Sequence, residues 1–183
     1  MLKLNFDPFP VIKTDRLVLR RMTLQDLDHY YALRTNVVAM KHIDQKMPTL
    51  DETIEKIQKV NEMINMNDGI AWAVCLNSDN IMIGTASYHR VIKEHHRAEI
   101  GYILNPDFWK KGIISEALEK VIDYGFKTMN LHTIEAQIDP ENLASQKVLE
   151  KFKFVREAYY KENFLVNGQF QDTAVYSLIC PKS

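Results

Sequence analysis

The chain has 183 residues, 46% of them hydrophobic, enough to enclose one sizeable core in a single domain spanning 1–183. Its 23 basic and 24 acidic residues leave a formal charge of -1, which excludes a protein held to nucleic acid by general electrostatics and leaves only a local basic site open. No run of about 18 apolar residues occurs and Met1 to Pro10 lack a long apolar region, so the expectation is a soluble, unexported, cytoplasmic protein that makes no membrane contact.

In chain order, Leu17-Val18-Leu19-Arg20 reads as a strand, and Thr23-Leu24-Gln25-Asp26 offers a capping box for a helix through about Arg34. A second box, Thr49 to Glu52, opens a longer helix carrying Ile54, Ile57, Val60 and Ile64 at three- and four-residue steps. Ala71 to Leu76 and Ile81 to Ala86 form a hairpin across the turn-rich Asn77-Ser78-Asp79-Asn80, and Ala98 to Leu104 is a further strand. The next helix, through about Met129, presents Ala117, Leu118, Val121, Ile122 and Phe126 on one face. Thr133 to Ile138 is a strand, and Leu143 to about Phe152 a helix behind Asn142. Phe154 to Val166 and Thr173 to Ile179 close the chain as strands joined through the hairpin signal Asn167-Gly168. Seven strands and four helices in the order β-α-α-β-β-β-α-β-α-β-β point to an α/β protein with one mixed sheet flanked by helices.

Between the strand at Ala98 to Leu104 and its following helix stands Asn105-Pro106-Asp107-Phe108-Trp109-Lys110-Lys111-Gly112-Ile113-Ile114-Ser115-Glu116-Ala117. A helix start leaves four amides without intrahelical partners and carries the positive end of the macrodipole, so an anion placed there satisfies both. Gly112 permits backbone angles that a side chain forbids, and Lys110 and Lys111 add positive charge. The turn therefore suits a phosphate group. Cys75 and Cys180 have neither metal-ligand spacing nor the density of a disulfide scaffold and are expected as reduced, buried thiols. His42, His89, His95, His96 and the acidic residues show no metal spacing, so no metal is expected. Lys93-Glu94-His95-His96-Arg97 reads as a charged loop.

Taken together these segments resemble the GNAT superfamily of acetyl-CoA-dependent N-acetyltransferases, and within it the ribosomal-protein N-acetyltransferase branch. Trp109-Lys110-Lys111-Gly112-Ile113-Ile114 is similar to the family's Gln/Arg-x-x-Gly-x-Gly/Ala turn, with Trp109 in place of the polar first residue and Ile114 in place of the last small one. Thr14 to Arg20 looks like the branch's first strand, Ala98-Glu99-Ile100-Gly101-Tyr102-Ile103-Leu104 like its central strand, and Asn142-Leu143-Ala144-Ser145 with Phe154 like its Asn-x-x-Ser…Phe segment. Leu149 stands where many members carry a proton-donating tyrosine, and Lys153 where a glycine is usual. The implied fold is a GNAT-like, mostly antiparallel twisted sheet of about seven strands flanked by about four helices.

The resemblance implies attack of a neutral amine on the thioester of acetyl-CoA through a tetrahedral intermediate that expels a thiolate. Backbone amides of Lys110, Lys111, Gly112, Ile113, Ile114 and Ser115 would hold the pyrophosphate, and the edge of Ile103-Leu104 would pair with the pantetheine amides and offer a donor to the oxyanion. Asn142 would reach the pantetheine arm, with a helix N-cap as its structural alternative. Glu99 is the candidate general base, acting through a water, and an ion pair with Arg97 is the alternative. Glu162 is a second candidate base, and Ser145 the candidate donor to the leaving sulfur, with a local backbone bond as its alternative. Tyr159, Tyr160 and Phe164 line the acceptor groove or merely pack the sheet, and Lys41 to Leu50 belongs to the loops that select the acceptor.

The implied acceptor is a protein N-terminal α-amine, a ribosomal protein's in the branch resembled. A polyamine or antibiotic acceptor, a non-catalytic acyl-CoA sensor, and a generic phosphate-binding protein are the alternatives. A homo-oligomer formed at a sheet edge is compatible with the pattern.

Overall fold

Apolar alternation along the strands and capped amphipathic helices resolve, in a computed structural model of the chain, into eight strands and five α-helices among the described residues. The structure describes residues 2–43, 46–166 and 168–181. Strands β1 (Ile12–Lys13), β2 (Leu17–Arg20), β3 (Ile70–Leu76), β4 (Met82–Ile92), β5 (Arg97–Leu104), β6 (Thr133–Ile138), β7 (Val155–Val166) and β8 (Gln169–Ile179) form one sheet in the order β1-β2-β3-β4-β5-β6-β8-β7. Every neighbouring pair is antiparallel except β5 and β6. The helices are α1 (Leu27–Arg34), α2 (Val37–Met40), α3 (Leu50–Asn65), α4 (Ile113–Lys127) and α5 (Leu143–Lys151).

The counts exceed the expected seven and four by one each. β1 has two residues, Ile12 and Lys13 opposite Leu19 and Val18, too few to show alternation. α2 is a single turn, started by the Asn36 side chain, which accepts from the amides of Val38 and Ala39. Thr23 caps a 3-10 turn at Leu24–Asp26 that runs into α1, and Thr49 and Glu52 close the reciprocal cap that starts α3. Asn167 of the expected Asn-Gly hairpin lies outside the described residues; β7 and β8 pair up to Val166↔Gln169, and Gly168 has φ +77°. β8 begins at Gln169, four residues earlier than expected, because its start pairs with the outer part of β7.

α4 and α5 cover one face of the sheet. Ile113, Ala117, Leu118 and Val121 of α4 and Leu149 of α5 share a buried cluster with Trp72, Ala86, Tyr88, Ile100 and Ile134. Trp72 packs edge-on against Tyr124 at 5.3 Å between ring centroids and donates its indole N–H to the Pro10 carbonyl at 2.8 Å. On the other face, Tyr30 of α1 and Ile57 of α3 meet Ala73, Cys75 and Met82. Burial pushes the Cys75 thiol up to about 11, so it stays protonated and inert. Cys180 departs from the expectation, being half-buried at the end of the sheet; both cysteines are free.

Candidate active site

The parallel pair β5 and β6 is joined by α4, because parallel neighbours require a crossover. The two strands are in register only at Arg97↔Thr133, Ala98↔Ile134 and Glu99↔Glu135. Beyond Glu99, β5 runs on through Ile100 to Leu104 bonded to β4, while β6 runs on through Ala136 to Ile138 bonded to β8. The sheet thus splits into a wedge with Glu99 at its apex and the inner edge of Ile100–Leu104 along one side. Ile103 and Leu104 lie on that side, Ile103 partly exposed, with backbone groups that can pair with an extended amide-bearing ligand as an added strand would.

The Lys110–Ser115 turn stands at the open end of β5. Asn105 donates to the Ile83 carbonyl at 2.9 Å, and the Trp109 indole N–H reaches back to the Leu104 carbonyl at 2.8 Å, so the link between strand and turn is short and tied down. Lys110 at φ +58° and Gly112 at φ +74° are both left-handed, and this reversal aims the start of α4 outward. Gly112 is the N-cap and has no side chain to fold over the first amides of α4, which are left for an anion. Ile114 packs its side chain against the core, which leaves its amide in the turn and the side chain behind it.

A strut that sequence reasoning missed fixes the turn to the first strands. The Glu116 carboxylate accepts from Thr14 Oγ1 at 2.5 Å, from the Arg16 amide at 3.0 Å and from Arg16 Nε at 2.6 Å, and the Arg16 guanidinium also donates to the Lys111 carbonyl at 3.0 Å. Desolvation pushes the Glu116 carboxyl up, but the bonds from Thr14 and Arg16 outweigh it and hold the group below the ordinary carboxylate range. Thr14 and Arg16 stand in the first-strand segment, yet nothing in that segment names a partner 100 residues away.

Glu99 is 8% exposed and lies with His89, Gly101 and Ser87 on the face of the sheet opposite α4. Its partners differ from the expected Arg97. Arg90 donates to Oε2 at 3.0 Å and His89 Nε2 stands 3.4 Å from Oε1, while Arg97 pairs with Glu135 at 3.1 Å. Arg97 is bonded away because it neighbours β6, whereas the β4 bulge between His89 and Ile92, with Arg90 at φ +47°, turns the Arg90 guanidinium toward Glu99. Gly101 makes room for the imidazole: a Cβ there would meet His89 Cε1 at 2.9 Å.

Across the wedge, Asn142 caps α5 by accepting from the Ser145 amide at 3.0 Å. Its Nδ2 has no partner among the described residues and is available to a carbonyl acceptor, so the cap and a ligand role are compatible. Ser145 is buried at the first turn of α5, its hydroxyl 2.6 Å from the Tyr102 phenol oxygen on β5. Leu149, one turn on, is fully buried among apolar neighbours.

Glu162 stands apart from this group. It is exposed on β7 at φ +48°, within a register irregularity between Tyr160 and Phe164, and its amide donates to Asp172 at 2.8 Å. Tyr159, Tyr160 and Phe164 are exposed on the same strand, Tyr159 hydrogen-bonded to Asp172. Of the 41–50 segment, Asp44 and Gln45 lie outside the described residues. His42 there binds Asp139, which follows β6, at 2.6 Å, so the segment reaches the far side of the wedge. Among the described residues no group of three or more His, Cys, Asp or Glu stands close enough to hold a metal, and no helix is long and apolar enough to cross a membrane.

The acetyltransferase (GNAT) domain model matches residues 16–155. The chain is 34% identical to the uncharacterized N-acetyltransferase YoaA of Bacillus subtilis, over 95% of this chain and 99% of that protein. It is 26% identical to the ribosomal protein uS5 alanine N-acetyltransferase of Escherichia coli, over 93% and 91% of the two chains. Among solved structures, it superposes on spermidine N-acetyltransferase from Vibrio cholerae in complex with CoA and spermine with a TM-score of 0.79 at 26% identity, covering 91% of this chain and 96% of that one.

Proposed function

The chain belongs to the GNAT acetyltransferase family and is an acetyl-transferring enzyme; on that premise we propose that its acceptor is the N-terminal α-amine of a protein, a ribosomal protein first, with acetyl-CoA as donor. What supports the acetyl-CoA half of this reading is the wedge itself, with a carboxylate at its apex, a hydroxyl across it and an uncapped helix start at its mouth. In this reading the amides of Lys110 to Ser115 bind the donor's diphosphate, the Ile103-Leu104 edge and Asn142 hold its amide-bearing arm, and an amide of the same edge faces the developing oxyanion. Glu99, acting through a water, takes the proton of the attacking nitrogen, and Ser145 hydrogen-bonds the leaving sulfur.

The choice of an α-amine rests on proton arithmetic. At pH 7 roughly a tenth to a sixth of an α-amine titrating at 7.7 to 8.0 is already neutral, against on the order of one in a few thousand for an amine at 10.4. One carboxylate acting through water suffices for the first and leaves the second scarce. The relative that acts on ribosomal protein uS5 supports the same acceptor class. A polyamine acceptor is the second reading, favoured by the likeness to the spermidine enzyme. Measuring kcat/KM with acetyl-CoA for a short peptide bearing a free N-terminal alanine, the same peptide blocked at its N-terminus, and spermidine decides between them. Preference for the free peptide by at least tenfold is expected; preference for spermidine moves the assignment to polyamines.

A further inference from the structure

Tyr102 has no assigned task in acetyl transfer, although it stands on the β5 side of the wedge and its phenol oxygen lies 2.6 Å from Ser145 Oγ, the shortest link between β5 and α5. The same phenol is 3.5 Å from the Ser145 carbonyl, too far to compete for its proton. Ser145 is otherwise fixed through its amide, which donates to Asn142 Oδ1 at 3.0 Å, and among the described residues its hydroxyl bonds only to Tyr102.

We propose that Tyr102 is a positioning residue for acetyl transfer: its O–H donates to Ser145 Oγ, and the serine's own proton is thereby turned into the wedge toward the departing sulfur. The reverse arrangement, serine donating to the phenol, would spend the only proton Ser145 has. Burial pushes the phenol up to about 12, so it remains a neutral donor throughout the range in which an amine and a thioester can react. Ile100 and Leu104 lie on the same face of β5 as Tyr102, and Tyr102 packs against the core cluster to which they and Leu149 belong.

The inference rests on the acetyltransferase reading and on Ser145. In the step it serves, the amine nitrogen bonds to the carbonyl carbon, the carbon–sulfur bond breaks with its electron pair on sulfur, and the nitrogen's proton leaves through the water held by Glu99. The thiolate departs as an anion hydrogen-bonded by Ser145; a free thiol titrates near 8.5, so no full proton transfer is required. Tyr102 undergoes no net change.

A double-mutant cycle tests it, with acetyl-CoA and whichever of the alanyl peptide or spermidine turns over. Tyr102→Phe, which removes one oxygen, should lower kcat about tenfold while leaving the acetyl-CoA Kd within twofold. Ser145→Ala should lower kcat at least as far, and in that background Tyr102→Phe should cost less than twofold more. A brace without a catalytic task would instead shift the Kd or the melting temperature and leave kcat unchanged. Equal losses with and without Ser145, or an unchanged kcat in Tyr102→Phe, overturn the proposal. Unchanged kcat in Ser145→Ala also overturns it while leaving the enzyme reading standing. A wild-type protein that releases no thiol with any amine overturns both.

Discussion

Glu99 and Glu135 are register partners across the parallel pair, and each carboxylate has its own cation, Arg90 for the first, with His89 Nε2 beside it, and Arg97 for the second. Glu99→Gln keeps the shape and removes the base, so kcat should fall about 100-fold near pH 7 and recover in part as pH rises and more of the amine is neutral. A pH profile parallel to wild type would remove the base role. A second buried carboxylate serves stability. Asp26, 3% exposed, takes two bonds from Arg20 at 2.7 and 2.8 Å and one from the Thr23 amide at 2.8 Å. Burial alone would raise its carboxyl, but Arg20 and Thr23 hold it below the ordinary value. Because its folded pKa is depressed, its contribution is complete above the unfolded value near 3.9 and is lost as pH falls through the folded one. Asp26→Asn should cost about 3 kcal/mol in denaturant unfolding at pH 7, leaving the Arg20 guanidinium without its anion, and the gap should narrow below about pH 4. Glu99 and Ser145 were readable as candidates because each sits in a short motif. Arg90 and His89 were not, since they reach Glu99 only through the β4–β5 register and its bulge.

At the scale of elements, α4 is held at both ends by contacts of different kinds. Its start is fixed by the Thr14–Arg16–Glu116 strut, and Glu116→Gln, which keeps the size but not the charge, should weaken acetyl-CoA binding about three- to tenfold with a small loss of stability. Unchanged affinity in titration calorimetry would mean that the strut does not set the turn. Farther along, Gly125 lies directly over Tyr88, where an added Cβ would run into the phenol oxygen and meet Cζ at 2.8 Å. Tyr88 is fully buried and donates to the Val121 carbonyl at 2.9 Å, so neither side can yield. Gly125→Ala should destabilise by about 1 to 3 kcal/mol in spite of the better helix propensity of alanine, and a neutral or positive effect would contradict the close approach. The apolar period of α4 and the capping box of α3 were readable because both are local patterns. Gly125 carries no such mark, since what it accommodates comes from β4.

Across the whole molecule, one departure from antiparallel pairing opens the candidate site. A sheet paired throughout would bury both edges of β5; the α4 crossover places β6 parallel to it for three residue pairs and then lets the two strands part. The element order and the mixed sheet were legible from periodicity, and the family from short motifs spread along the chain. The strand order was not: β7 and β8 carry the same aromatic and β-branched character, and only the structure shows that β8 is inserted beside β6 while β7 takes the edge. The parting of β5 from β6 was equally hidden, because Ile100 to Leu104 reads as an ordinary strand whether or not its second edge is paired. The most direct test of the account is to incubate the protein with acetyl-CoA and the alanyl peptide and to follow free thiol and peptide mass together. Thiol released in step with the gain of one acetyl group on the peptide, and absent when its N-terminus is blocked, is the predicted result; tight acetyl-CoA binding with no acceptor-dependent thiol from any amine would contradict it.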